Sequence, residues 1–94
     1  MRGGKKYLWE RNYDENGYKE ILYYENGQIK SEGNHKKDGS LDGRWVEYYP
    51  DGRIQKEGSY KDGKQAGKWT EYDEDGKIVR ERTFRNGIAL TDAN

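Results

Sequence analysis

Asn-Gly or Asp-Gly returns again and again along this chain at nearly even spacing. The segments "LYYENGQIKSEG" (Leu22 to Gly33), "EYYPDGRIQKEG" (Glu47 to Gly58) and "EYDEDGKIVRER" (Glu71 to Arg82) are close variants of one another. Laid out in full, Gly43–Ala66 falls on Gly67–Leu90 with a period of 24 residues. Gly43 then meets Gly67, Trp45 meets Trp69, Tyr48 meets Tyr72, Ile54 meets Ile78 and Tyr60 meets Phe84. A fixed period of this length marks a chain built from one supersecondary unit that buries its apolar side only by stacking on its neighbours.

Each unit reads as two strands. Asn-Gly and Asp-Gly between β-rich runs are the strongest short-range hairpin signals, because glycine enters the left-handed backbone region without steric cost. They stand at Asn16-Gly17, Asn26-Gly27, Asp51-Gly52 and Asp75-Gly76, and again at Asp38-Gly39, Asp62-Gly63 and Asn86-Gly87, where the links "DGSLDG" and "DGKQAG" begin. Gly17, Gly27, Gly52, Gly63, Gly67 and Gly76 are the expected structural turn positions. The expected fold is all-β, a single-layer twisted antiparallel meander of seven short strands. Its single domain, residues 1–94, holds a partial copy at about 7–17 and full copies at about 18–42, 43–66 and 67–90, the first of them with one extra residue in "NHKKDG". Helix is disfavoured by glycines every few residues and by the absence of 3.6-residue apolar periodicity.

Register decides which side chains share a face. A three-residue loop at Pro50-Asp51-Gly52 pairs Tyr48 with Ile54, and the same rule pairs Tyr23 with Ile29 and Tyr72 with Ile78. A two-residue loop would place Asp73 opposite Ile78, a poor pair. The three-residue loop therefore predicts a cohesive face of Tyr48, Ile54, Val46 or Thr70, and Tyr60 or Phe84. The opposite face is expected to carry Trp45, Glu47, Tyr49 and Glu57, then Trp69, Glu71, Val79 and Glu81. Trp45 and Trp69 have two readings there: each covers a neighbouring strand, or together with Tyr49 they form an exposed recognition strip rimmed by Glu47 and Glu71.

These residues resemble a known repeat. "EGSYKDGKQAGKW" (Glu57 to Trp69) is similar to the MORN signature, and the units with "YYENG", "YYPDG" and "YDEDG" resemble more closely its bacterial variant, over roughly Tyr13 to Gly87. The third copy departs by carrying Arg82 where the others have Gly33 and Gly58, and His35 stands where an aromatic is expected. The resemblance implies a sheet grown by hairpin addition and a protein-binding role, with relatives that act as antitoxins or immunity partners of a cognate toxin. It also admits a scaffold or membrane-surface adaptor.

Composition narrows the remaining classes. With 30% hydrophobic residues the chain has little with which to build a closed two-layer core, whereas an aromatic content of 14% suits one sheet wetted on both faces. The 18 basic and 18 acidic residues cancel, which removes the electrostatic case for nucleic acid and weakens that for an anionic membrane. The chain has no cysteine, a composition compatible with a cytoplasmic protein. The basic start Met1–Lys6 leads into no apolar signal region, and no run is long enough to span a bilayer.

No enzyme is expected. A small hydrolase would have to recruit His35, the sole imidazole, whose setting in "GNHKKDG" reads as a hairpin link and an aromatic substitute. Asp73, Asp75 and Glu81 have some calcium-loop spacing but belong to an ordinary turn, so neither metal nor cofactor is expected. Glu47 and Glu71 as a glycosidase pair would be solvated, with nothing to raise one pKa. The expected partner is a protein, with edge-strand association between copies as a further possibility.

Overall fold

A computed structural model describes residues 9–90. The basic pair Lys5-Lys6 and the first two residues of the partial copy lie outside them. Eight strands form one sheet in strict sequence order: β1 (Trp9–Asp14), β2 (Gly17–Tyr23), β3 (Ile29–Lys36), β4 (Leu41–Tyr48), β5 (Ile54–Lys61), β6 (Lys64–Tyr72), β7 (Ile78–Arg85) and the two-residue β8 (Ile88–Ala89). The eighth strand is one more than the seven expected from sequence, although the seven turn signals themselves separate eight strands. All neighbours are antiparallel. The molecule measures 54 × 36 × 15 Å. Packed sheets lie about 10 Å apart backbone to backbone, so a thickness of 15 Å holds one sheet and its own side chains.

At one end of the sheet the turns have the three-residue form. The Tyr49 N–H donates to the Arg53 carbonyl at 2.7 Å, and the Gly52 N–H donates to the Tyr49 carbonyl at 2.9 Å. Gly52 has φ +97°, as the last position of a type I turn with a glycine bulge requires. The same pair of bonds closes Tyr24 to Gln28 and Asp73 to Lys77. Tyr23 thus faces Ile29, Tyr48 faces Ile54 and Tyr72 faces Ile78.

At the other end, Asp62-Gly63 (φ 51° and 85°) and Asn86-Gly87 (φ 52° and 82°) are two-residue type I′ turns. The links "DGSLDG" and "DGKQAG" are therefore short turns followed directly by strand. The extra residue of the first copy enlarges its turn to Lys37-Asp38-Gly39, where the Lys36 N–H reaches the Ser40 carbonyl at 2.8 Å. Gly17 and Gly27 also have positive φ. Gly67 lies inside β6, not in a turn; a register shift in the β5–β6 pairing sets it there with φ 74°.

One residue per copy was not anticipated. Tyr48 pairs with Ile54, but Glu47 pairs with Lys56, so Gln55 is left over as a β-bulge. Lys30 and Val79 are the extra residues in the other copies. Because side chains alternate with a period of two, one extra residue reverses the face of everything beyond it. Glu57 and Glu81 consequently lie on the tyrosine face, opposite Val46 and Thr70, while Tyr60 and Phe84 cross to the tryptophan face. The predicted face assignment of those four residues is corrected accordingly.

Candidate functional site

The tryptophan face carries an aromatic ladder across the sheet. Tyr13 and Tyr18 lie with ring centroids 5.1 Å apart, and His35 stacks on Tyr18 at 4.5 Å. Trp45 then meets Tyr60 at 6.0 Å, Tyr60 meets Trp69 at 5.1 Å, and Trp69 meets Phe84 at 6.3 Å, each edge to face, the arrangement that the ring quadrupoles favour.

The tryptophans lie flat because their neighbours are glycines. A Cβ on Gly33 would come within 2.2 Å of the Trp45 ring, and one on Gly58 within 2.1 Å of the Trp69 ring. Glycine in mid-strand here provides a floor for the indole of the next copy. Trp69 also donates its indole N–H to the Ser59 carbonyl at 3.0 Å and is only 4% exposed. It belongs to the core and not to an exposed recognition strip; of the two readings, covering a neighbouring strand is the one the structure has.

The other members of the expected strip are placed as follows. Trp45 is half-buried and donates to Glu47 at 2.9 Å. Tyr49 is half-buried, and its hydroxyl donates to the Tyr72 carbonyl at 2.7 Å. Glu47 and Glu71 do share the face, but Lys56 lies between them in register and Arg80 lies opposite Glu71. The rim is thus a row of alternating charge, not an acidic border. Beside Trp45 a shallow depression of about 240 Å³ is lined by Tyr24, Lys30, Ser31, Glu47 and Gln55.

The tyrosine face is held by a different device. Tyr48 donates its hydroxyl to Glu32 at 2.5 Å, Tyr72 to Glu57 at 2.7 Å and Tyr23 to Glu10 at 2.7 Å. Each tyrosine thus reaches a carboxylate of the preceding hairpin. Basic residues hold the same carboxylates: Lys19 at 3.3 Å from Glu32 and Arg44 at 2.7 Å from Glu57, with Lys68 at 3.4 Å from Glu81. The Tyr48 hydroxyl, with Lys19 beside it, holds the Glu32 carboxyl below its ordinary value. Burial, reinforced by the Glu32 charge, pushes the Tyr48 phenol up to about 12. Val46, 3% exposed, fills the centre of this face.

Both rows of turns are also stitched copy to copy. Tyr24 donates to the Tyr48 carbonyl at 2.6 Å, as Tyr49 does to that of Tyr72. Asn26 reaches the Pro50 carbonyl at 3.0 Å and Arg53 that of Glu74 at 2.7 Å. At the opposite end the Gly63 N–H donates to Leu41 at 2.8 Å, and that of Gly87 to Gln65 at 2.9 Å. These roles of Tyr24 and Tyr49 were missed from sequence, although the doubled tyrosine before two of the three turns was visible.

His35 is engaged at both nitrogens, Nδ1 with the Gly39 carbonyl and Nε2 with Glu20, each at 2.9 Å. Burial opposes the charge on Glu20, but hydrogen bonds from Trp9 and His35 outweigh it and keep that carboxyl below its ordinary value. Among the described residues no group of three or more His, Asp or Glu side chains is arranged to hold a metal ion, and no helix is long and apolar enough to cross a membrane.

A single sheet of equivalent hairpins, each bonded to the next by the same side chains, defines a hairpin-repeat protein. The MORN repeat variant model matches residues 19–37, 41–62 and 65–86, more than half of the chain, and the chain belongs to that family. No curated protein and no solved structure was found to match it. MORN repeats are commonly interaction modules and are generally non-catalytic.

Proposed function

We propose that the protein is a non-enzymatic module that binds another protein through the tryptophan face, and that it serves as an antitoxin or immunity partner of a cognate toxin, as its likeness to the bacterial variant repeats suggests. The observation that carries the binding role is the half-buried Trp45–Tyr60 pair beside an open depression, on a sheet that has no second layer among the described residues. Such aromatic groups are the usual anchors of interfaces. Trp69 supports them from the core, and Glu47 and Glu71 supply hydrogen-bond acceptors at the rim.

The test is affinity capture with the full chain, identification of the retained protein, and calorimetry of the purified pair. The double variant Glu47→Lys, Glu71→Lys and the single variant Tyr60→Ala are expected to lose about ten-fold or more in affinity, equivalent to about 1.4 kcal/mol, while keeping the parent circular dichroism. Undiminished affinity in both variants would move the interface off this face. A captured protein whose own activity is unaffected by binding would remove the antitoxin role.

A further inference from the structure

One row on the tryptophan face crosses the sheet as Leu22, Ser31, Glu47, Lys56, Glu71 and Arg80, each opposite the next in register. From Glu47 onward the charges alternate, as cross-strand pairs of opposite sign favour. The alternation stops at Ser31. Ser31, Lys56 and Arg80 hold the same position in the three copies, two residues before Gly33, Gly58 and Arg82. Within the row Glu71 therefore has a basic residue on both sides, whereas Glu47 has Lys56 on one side and a serine on the other.

The tryptophan beside each of these positions differs accordingly. At the interface that carries Lys56, Trp69 is 4% exposed and donates its indole N–H to the Ser59 carbonyl at 3.0 Å. At the interface that carries Ser31, Trp45 is half-buried and donates to Glu47 at 2.9 Å. The depression of about 240 Å³ lies at this second interface. Ser31, itself buried, belongs to its floor, and its lining joins two aromatic residues, Tyr24 and Trp45, to one carboxylate, Glu47. Lys30 already holds its ammonium 5.8 Å from the Tyr24 ring centroid. A cation on the Tyr24 ring leaves the Trp45–Glu47 end as the place for a second.

We propose that this notch takes an arginine side chain of the partner protein, its guanidinium against the Trp45 indole and paired with Glu47, at the point where the later copies supply Lys56 and Arg80 themselves. A guanidinium is flat enough to lie on an indole and offers a carboxylate two parallel N–H groups, neither of which a compact ammonium does as well. The inference rests on the protein-binding reading of the tryptophan face and names what that face recognises. Basic residues of the chain's own start, Arg2, Lys5 and Lys6, are the rival occupants, and the experiment separates them from a partner.

The probe is N-acetyl-arginine N-methylamide, titrated into the full chain and followed by amide and indole N–H chemical shifts. The N-acetyl-citrulline analogue is its neutral isostere. The arginine probe is expected to bind saturably in the millimolar range, shifting the Trp45 indole N–H and the amides of Ser31 and Glu47, and the citrulline analogue to bind about five-fold more weakly or worse. Ser31→Arg completes the row and is expected to keep the fold, since Arg80 stands at the same position, while abolishing the shifts. Should that variant fail to fold, Glu47→Gln reads the carboxylate alone, with an expected loss of about five-fold.

Absence of saturable binding, which is also the result if the chain's own basic start fills the notch, would overturn the proposal. So would equal affinity for the citrulline analogue, or undiminished affinity in folded Ser31→Arg or Glu47→Gln. In the captured complex, Ser31→Arg is expected to cost about ten-fold in affinity. A captured protein that tolerates Ser31→Arg but is weakened by Tyr60→Ala would overturn the notch and leave the tryptophan face standing. One that tolerates Ser31→Arg, Tyr60→Ala and the Glu47→Lys, Glu71→Lys pair would remove both.

Discussion

The two faces of this sheet repeat with the same period but cohere by different forces. On the tryptophan face, indoles rest on glycines and rings meet edge to face, so contact depends on shape. On the tyrosine face, hydroxyls and basic groups converge on carboxylates, so contact depends on charge state. A shape-based interface tolerates salt and pH but no added atom. A charge-based one tolerates small changes of shape but titrates. With so few aliphatic residues, the chain uses both to hold one layer.

The sharpest way to break this comparison is to remove an indole. Trp69→Ala should cost about 3–5 kcal/mol, measured by urea denaturation, a large share of the about 5–15 kcal/mol that holds an ordinary domain together. Gly58→Val should cost about 3 kcal/mol, because its side chain enters the space of the Trp69 ring. The milder Gly58→Ala isolates the mechanism: its cost should largely vanish in the Trp69→Ala background, and an additive double mutant would refute the floor-and-indole account.

Gly52→Val should destabilise by about 1 kcal/mol or more, since its backbone φ of +97° disfavours any side chain. An unchanged melting temperature would put the turn type in doubt. Tyr48→Phe should cost about 1 kcal/mol, the net value of a hydrogen bond to a partly screened carboxylate.

The smallest effect separates the faces most cleanly. Glu32 is depressed in the folded chain, so its contribution is present above the unfolded carboxyl value and is lost as pH falls through the folded one. Tyr48 is raised, so its contribution is present below about pH 10 and is lost as pH rises toward and through about 12. Melting temperature against pH should therefore decline at both ends, and Tyr48→Phe should flatten both arms. Equal slopes in parent and variant would show that this face does not titrate as described.

Turn chemistry made most of the fold legible in the sequence. Gly27, Gly52 and Gly76 announced the hairpins, and the poor Asp73–Ile78 pairing correctly chose between loop lengths. The extra residues Lys30, Gln55 and Val79 were not legible, since a bulge of this kind leaves no mark of its own and occupies one lysine, one glutamine and one valine. A signal did exist one step away: Gly33 and Gly58 recur in mid-strand, and a strand glycine points to a close neighbour, here an indole. The candidate site suffered from the same omission. Tyr60 looked like part of the tyrosine face and Trp69 like a surface anchor because the reversal of face at Gln55 was not in view.

The third copy is informative in the same way. Asp73 stands where Tyr24 and Tyr49 staple one turn to the next, and Arg82 stands where Gly33 and Gly58 receive an indole. Both departures fall at positions that engage the next copy in the first two repeats, so a local look at the third hairpin would have missed what they replace.

Hydrogen-bonded neighbours in this sheet are always consecutive in sequence. A globule gains stability by closing around a centre, so its middle segments are indispensable and its length is fixed. The described residues form no centre to close. The sheet's cohesion accumulates along one axis, and duplicating Gly43–Ala66 in frame would add a rung without disturbing the rungs on either side. Evolution, or an engineer, could therefore adjust the reach of such a module by whole units, keeping the end strands and changing only how far apart they are held.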